Sequence, residues 1–449
     1  MSVSSETATS NAKMKRVLRA GAIGNFIEFF DFTIYGFFAV TIAALFFPKG
    51  DSVAALLATF ALFGVAFFIR PIGAMVFGHI GDRFGRKRAL IFAIVLMSSA
   101  TACIGLLPTF SAVGVVAPLL LLLCRLAQGF STGGEQSGAY VLVVEHSPIK
   151  KRGRNGSLVV TGSITGVGCA ALLGLAVALL CTPEQLLEWG WRIPFLIAAP
   201  LGLLGLYLRM NIDESEVYKT ASDVVKKATR KHVPLAQAFR QSRKEMTVLL
   251  GWTALVALSG YMLVGYYTTH LVTAEGYAMP AALAVLIVGH AVAALGVPMM
   301  GRLADRCPRK KFALGVSIAL AVWTFPTFLL MSMGPVFAAI GIAVFAIISY
   351  SAMVVSSMAV VELFPVDVRY SASALPFQLG FAVFGGTAPF IATWLVANFD
   401  HLAPAYYITA MACFGALLAV FGLPNAREMA VTTVELEDQD PERNVSTVH

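Results

Sequence analysis

Twelve apolar runs, each long enough to cross a bilayer, decide what this chain can fold into. They lie near 20–47, 54–77, 89–107, 114–144, 156–181 and 192–210. They resume at 247–272, 281–300, 312–333, 335–361, 372–397 and 404–424. About 20 predominantly apolar residues span the hydrocarbon core as a helix. Inside lipid the backbone polar groups must be satisfied within the segment, which a helix achieves and an open strand does not. The pattern predicts an all-α membrane protein with twelve transmembrane helices. Composition agrees: only 13% of the residues are charged and 58% are hydrophobic, whereas a soluble chain carries about 25% charged residues.

An even number of spans puts both termini on one side, and the basic residues say which. Of 33 Lys and Arg, 29 fall in the tails and in the loops of that same side. The other four are Lys49 and Arg192 at the opposite face, and Arg70 and Arg125 inside spans. By the positive-inside bias the tails are cytoplasmic, in a multi-pass protein of the cell inner (plasma) membrane. The net charge of +8 thus reports topology, and no nucleic-acid partner is expected. The first 18 residues are polar with no apolar core before a cleavage site, so the first span itself is expected to target the chain. Cys103, Cys124, Cys169 and Cys413 fall inside spans, Cys181 at a span end and Cys307 in a basic loop. Without metal-ligand spacing, they read as packing residues.

The chain also repeats itself. "GHIGDRFGRKR" (78–88) returns as "GRLADRCPRKK" (301–311), and "VEHSPIKKR" (144–152) as "VELFPVDVR" (361–369), at offsets of 223 and 217. Two echoes at nearly one offset, each on a loop of the basic side, indicate a duplication into two pseudo-symmetric six-helix halves. The expected organisation is a tail (1–18), a first half (19–210), a polar linker (211–246), a second half (247–424) and a tail (425–449).

Charge inside a span is costly and marks function by default, at about 2.5–3.5 kcal/mol on insertion scales. Five such groups stand out, Glu28, Asp31, Arg70, Arg125 and Glu135, with His290 as a sixth titratable side chain. Asn25, Glu28, Asp31 and Tyr35 are three or four residues apart and share one helix face. That face must turn into the bundle or a water-filled cavity. One reading pairs these charges permanently to hold helix register; the other lets an acid change protonation during a cycle. Arg70 suits a substrate carboxylate, since only guanidinium offers the two-pronged fork. Gln128 and Thr132 share a face with Arg125. A lone His in a span is usually a hydrogen-bonded packing residue, though His290 stays a candidate. Tyr261, Tyr266, Tyr267, Tyr350, Ser356, Ser357 and Gln378 are neutral polar groups that suit the far wall of a site, though the Tyr spacing equally fits an interfacial aromatic belt. On the basic side, Asp82 and Asp305 can cap helix N-termini of the other half. Glu145 with Arg152, and Glu362 with Arg369, can pair across that face. Together with Gly78, Arg83, Arg86 and Arg306 they form the expected gate.

These stretches resemble a known family. "GHIGDRFGRK", "RLAQGFSTGGE" (125–135) and "EHSPIKKRG" (145–153) resemble the loop and fourth-span signatures of the major facilitator superfamily. "GNFIEFFDFTIYG" (24–36), "FFIRPIGAMVFG" (67–78) and "ELFPVDVRYSASALPFQLGFAVFGGTAPF" (362–390) are similar to patterns of its metabolite–proton symporters. The resemblance implies secondary active uptake of a small organic acid or zwitterion driven by protons. Asp31 would carry the proton and face Arg125, with Glu28 and Glu135 as further coupling acids. Arg70 would anchor the substrate among Asn25, Tyr35, Gln128, Tyr266, His290, Tyr350 and Gln378. One departure is Cys307-Pro308, where the family's second loop has Gly; another is a short acidic tail without heptads. A drug–proton antiporter on the same fold is the first alternative, though the fifth span lacks the Gly-Pro element of such exporters. A non-transporting receptor is the second. No cofactor, metal or enzymatic activity is implied, since no P-loop, zinc motif or nucleophile constellation appears. The expected partners are the substrate, protons and the lipid bilayer, with the chain as a monomer.

The lopsided Lys and Arg count makes the topology testable. A reporter active only in the cytoplasm should work when fused after residue 230 or at the C-terminus, and be silent near Asp51 or Glu184. A silent fusion at 230 would remove the twelve-span arrangement.

Overall fold

The structure is a computed structural model in which residues 2–48, 50–84, 86–133, 140–141, 143–144, 147–210, 242–364 and 369–423 are described. At 2–17, 19–20, 78–79, 81–84, 86–90, 208–210 and 369–371 only the backbone is described. Glu135, Glu145, most of the expected linker and the C-terminal tail therefore lie outside the described residues, as do the side chains of Asp82, Arg83, Arg86 and Arg369.

The described residues form helices and no strand. α1 runs over Ser2–Phe37 and continues, after a 58° bend at Phe38, as Ala39–Phe46. α2 comprises Ser52–Phe68 and Arg70–Phe84, α3 is Arg86–Leu106, α4 is Val116–Ser131 and α5 is Arg152–Leu180. α6 is Arg192–Met210. α7 starts as Arg243–Tyr261, passes through a π-helical turn at Met262–Tyr266 and ends as Tyr267–Thr273. α8 is Met279–Arg306, α9 is Arg309–Ser332 and α10 is Pro335–Glu362. α11 joins Arg369–Gly380 to Gly386–Asn398 through a second π turn, Phe381–Gly385, and α12 is Ala403–Phe421. Eight of these helices are long and apolar enough to span a membrane, or up to ten if each bent pair counts as one. Ile91–Leu106 and Val116–Ser131 are shorter apolar helices.

Three expectations need correction. The first apolar run is not one straight span but is broken at Phe38. The basic segments 78–88 and 301–311 are mostly helical and not open loops: the described residues of the first are helical on either side of position 85, and in the second α8 runs to Arg306 and α9 starts at Arg309. Polar residues at a membrane surface have no reason to leave the helix until something stops it. Between α8 and α9 the stop is Pro308, which holds Cys307 extended (φ −96°, ψ 148°) by clashing with helical geometry at the preceding residue. Finally, Cys103, Cys169 and Cys413 are exposed on the outside of the bundle. They do not pack inside the bundle as expected.

Helix ends are satisfied locally. Asp51 accepts from the Val53 and Ala54 N–H groups at the start of α2 (2.9 and 3.0 Å). Thr182 and Gln185 form a reciprocal capping box ahead of α6, which satisfies two orphan donors at once.

Lipid tails are as apolar as leucine, so helices associate here through close packing. Glycine makes that possible. A Cβ on Gly162 or Gly166 of α5 would overlap the backbone of Ala22 or Phe26 in α1. The same holds for Gly73 of α2 against Phe130, and for Gly129 of α4 against Ala66. Helices before and after the segment 211–241 also touch. Gly153 of α5 lies against Gly301 of α8, Gly36 of α1 against Val264 and Gly265 of α7, and Gly64 of α2 against Gly386 of α11.

Gly166→Leu should therefore cost about 1–3 kcal/mol by overpacking the α1–α5 seam. The measurement is thermal unfolding in detergent, where the midpoint should drop by several degrees. A variant as stable as the parent would mean that this seam is not tightly packed.

Candidate functional site

The polar face of α1 does not point into one cavity. Asn25 donates to Ser163 Oγ of α5 at 3.2 Å, and Ser98 Oγ of α3 donates to Asp31 at 3.4 Å. Tyr35 donates to the Thr59 carbonyl of α2 at 2.9 Å. Each three-residue step turns back about 60° around a helix, so Asn25 and Asp31 fan out towards different neighbours. All three are fully buried, and Glu28 is nearly so. Glu28 and Arg70 both lie within electrostatic reach of Tyr261 in α7.

The two arginines share a nest of rings. The Arg70 guanidinium lies over Phe67 (4.3 Å to the centroid) and Phe32 (4.9 Å). Arg125 lies over Tyr35, Phe32 and Phe63 at 4.3, 4.6 and 5.2 Å. It also donates to Gln128 Oε1 at 2.8 Å and to the Phe63 carbonyl at 3.3 Å. Gln128 in turn donates to Thr101 at 2.7 Å. When desolvated, each stacked contact contributes up to about 2 kcal/mol. Among the described residues no ion pair joins Asp31 to Arg125. Asp31 is turned to α3, and Arg125 is aimed at the rings of α1 and α2. The Nε of each arginine has no hydrogen-bond partner among the described atoms.

Between the helices before and after 211–241 lies a small chamber of about 30 Å³. Its walls include Phe29, Tyr140, Ser163, Tyr261, Tyr350 and Phe381. That volume admits a single water, so the chamber must widen to take a metabolite. Of the residues expected to bind substrate, Tyr350 lines it directly. His290 stands behind Tyr350, with ring centroids 6.0 Å apart, and its Nδ1 bonds the Leu286 carbonyl at 2.8 Å. Asn25 reaches the chamber through Ser163, and Arg70 through Tyr261. Tyr35 and Gln128 are engaged in the hydrogen bonds above. Gln378 ties α11 to the end of α4 by donating to the Gly133 carbonyl at 3.0 Å. Tyr266 lines a different space, a cavity of about 510 Å³ at the far end of the bundle, with Phe47, Asp51, Thr269 and Thr393. Phe29, Tyr140 and Phe381 carry no signal in the sequence, because an aromatic in an apolar span looks like packing.

Towards the basic end the chamber is closed by polar contacts. The Gly153 and Arg154 N–H groups, at the start of α5, donate to the Asp305 carboxylate of α8 at 2.7 and 2.8 Å. A carboxylate there complements the positive end of the helix. Glu362 of α10 pairs with Arg152 at 3.6 Å and with Arg309 at 3.2 Å. Arg309 also reaches Asp305 at 3.8 Å. The cations described in this cluster are Arg152 and Arg309; Arg306 is exposed and forms no ion pair among the described residues. Towards the far end, closure rests on backbone contacts at Gly36 with Gly265 and at Gly64 with Gly386.

Comparison with known proteins places this geometry. A family model described as Major Facilitator Superfamily matches residues 21–375. A proline/betaine transporter of Salmonella typhimurium is 36% identical over 424 residues, covering 92% of this chain and 84% of that protein. The glycine betaine/proline/ectoine/pipecolic acid transporter OusA of Dickeya dadantii is 35% identical over 425 residues, with the same coverage of each chain. Among solved structures, the proton:xylose symporter XylE bound to 6-bromo-6-deoxy-D-glucose superposes with a TM-score of 0.72. It shares 16% identity and covers 93% of this chain and 97% of its own, a likeness of fold. The chain belongs to the major facilitator superfamily and is a multi-pass membrane transporter related to the proline/betaine transporters, not an enzyme.

Proposed function

We propose that this protein takes up a small zwitterionic metabolite, or an organic acid of similar size, together with protons by alternating access. The observation that carries this is the chamber between the helices before and after 211–241, walled by aromatic rings, beside Arg70 and Glu28 and closed towards both ends. Rings such as Phe29, Tyr140, Tyr261, Tyr350 and Phe381 suit the cationic end of a zwitterion through their π faces. The Arg70 fork suits its carboxylate. The names of the relatives, which specify proline, betaine, ectoine and pipecolic acid, support the same chemistry.

In this reading the chain is a twelve-helix, two-half carrier, with 19–210 and 247–424 rocking about the chamber as a monomer. The tails 1–18 and 425–449, the linker 211–246 and the basic end face the cytoplasm of a cell bounded by its inner membrane. Asp305, Arg152, Glu362 and Arg309 hold the cytoplasmic side shut. Asp31 carries the proton and Arg125 is its switching partner, with Glu28 and Glu135 as secondary acids. A carboxyl and a guanidinium that meet in one state and part in another exchange a proton with solvent as the contact forms and breaks. The separation of Asp31 from Arg125 is then one stage of that cycle.

Two substitutions test the assignment in proteoliposomes, with glycine betaine and proline as probes. Asp31→Asn keeps size and a hydrogen-bonding group but cannot carry a proton. It should abolish accumulation driven by an imposed pH gradient and preserve counterflow exchange, whereas Glu28→Gln loses less. Concentrative uptake by Asp31→Asn would move the proton to another acid.

Arg70→Lys keeps the charge without the fork. Loss of a charge-assisted hydrogen bond, worth about 1.5–3 kcal/mol, should weaken binding about 10- to 100-fold in a titration of purified protein. Parental affinity would reduce Arg70 to a packing role.

A further inference from the structure

At the far end of the bundle, a line of polar groups runs from the loop after α7 to the wall of the 510 Å³ cavity. Glu275 Oε1 lies 3.3 Å from His270 Nε2. The other ring nitrogen of His270, Nδ1, lies 3.3 Å from the Tyr266 hydroxyl. Tyr266 ends the π turn of α7 and lines the cavity. Its hydroxyl has a second acceptor, the Ala392 carbonyl of α11, at 3.4 Å. His270 is 1% exposed and packs edge-on against Phe328 of α9, with centroids 5.0 Å apart.

Several groups surround this imidazole. Tyr266 and Glu275 face it from α7 and the loop that follows. α9 contributes the uncharged Phe328 and α11 a carbonyl. His401, in the turn before α12, acts on Glu275, as does Tyr277; the Tyr277 hydroxyl is spent on the Met331 carbonyl at 2.7 Å. The Glu275 carboxyl is held below the usual glutamate range, first by the His270 ring nitrogen 3.3 Å away and further by the imidazoles of His270 and His401, against its partial burial. An anion thus stands at Nε2 and favours the tautomer with a proton there.

The proton inventory then has two states. A phenol has one proton to give. With His270 neutral and protonated on Nε2, Nδ1 is an acceptor, and Tyr266 must divide its proton between Nδ1 and the Ala392 carbonyl. The two long distances, 3.3 and 3.4 Å, fit a divided bond. When a proton from water at this face is added to Nδ1, that nitrogen becomes a donor to the Tyr266 oxygen. The phenol proton then goes wholly to Ala392, and the link from α7 to α11 changes from half a bond to a whole one.

We infer that Glu275, His270 and Tyr266 form a proton-binding site, separate from the acids of α1, that when loaded pins α7 to α11 more firmly than in the form seen here and so stiffens the wall of the far cavity. Which side this site senses rests on the reading above, in which the far end faces outward. There, acid outside would ready the carrier before the coupling acid is loaded. His270 acts through Tyr266 and is a positioning residue.

The test needs neither substrate nor gradient, so it stands or falls apart from proton-coupled uptake. Thr393→Cys, on the cavity wall, is placed in a protein whose six natural cysteines are replaced by serine. Its rate of modification by a membrane-impermeant maleimide is measured from about pH 8 to about pH 5.5, the range in which histidine changes charge. Each rate is referred to full labelling after denaturation, which also reports whether a variant is folded. It is then divided by the rate in the same protein carrying Tyr266→Phe, which cancels the thiol's own pH dependence. The ratio should change several-fold across this range. It should be flat in His270→Gln, and in Glu275→Gln, where the anion facing the imidazolium is gone, its midpoint should move to lower pH. A flat ratio in the parent, or a His270→Gln profile that follows the parent, overturns the inference.

Discussion

Two guanidinium groups, Arg70 and Arg125, rest on the ring of Phe32 in the middle of a bundle built for lipid. Like charges in a low-dielectric interior repel strongly, and each Nε lacks a hydrogen-bond partner among the described residues. What makes the arrangement tolerable is the aromatic nest of Phe32, Tyr35, Phe63 and Phe67, together with Gln128 and the Phe63 carbonyl. The rings also reach across to the second set of helices. Phe32, Phe63 and Phe67 all pack on Tyr261 of α7, at 6.1, 5.9 and 4.8 Å between centroids. Tyr261 in turn packs on Phe381 of α11 at 6.0 Å. The buried charge of the first helices and the chamber wall of the later ones are therefore one packed object. A shift of α7 or α11 must change the surroundings of both arginines.

The two ends of the chamber are closed by different physics. At the basic end, Asp305 and Glu362 hold helix N–H groups and arginines, contacts that are directional and open to competition from water and salt. At the far end, glycine backbones touch with no side chains between them. That contact is short-ranged and is lost with a small displacement. The π turns in α7 and α11 sit beside these glycine contacts, Gly265 within one and Gly386 just after the other. A π turn leaves the regular hydrogen-bond ladder and often marks a functional site. The chain is thus most easily bent where its far-end closure is thinnest.

Much of this was legible in the residues. Asp305 stood out as a carboxylate able to cap a helix of the other half, and it accepts from the first N–H groups of α5. Glu362 and Arg152 read as members of a charge cluster, and they meet each other at 3.6 Å; their expected partners, Glu145 and the Arg369 side chain, lie outside the described residues. Spacing along one helix says nothing about which neighbour faces which charge. Asp31 and Arg125 are both at membrane depth, yet a turn of about 60° per three residues sends one to Ser98 and the other to a set of rings. The chamber itself was invisible, since Phe29, Tyr140 and Phe381 are unmarked among the 32 Phe and 12 Tyr of the chain.

The sequence by itself determined that the chain is helical, that it lies in a membrane, that it repeats and which of its ends is basic. Each follows from local accounting: the length of an apolar run against the thickness of lipid, and the placement of Lys and Arg. Tertiary structure alone decided which charges meet, where the chamber lies, that Arg309 and not Arg306 joins the gate, and that His270 links Glu275 to Tyr266. Those outcomes depend on helix rotation and crossing, which glycine contacts and ring packing set between segments far apart in sequence. No local pattern encodes a rotation about a helix axis; only the neighbours that the helix packs against can fix it.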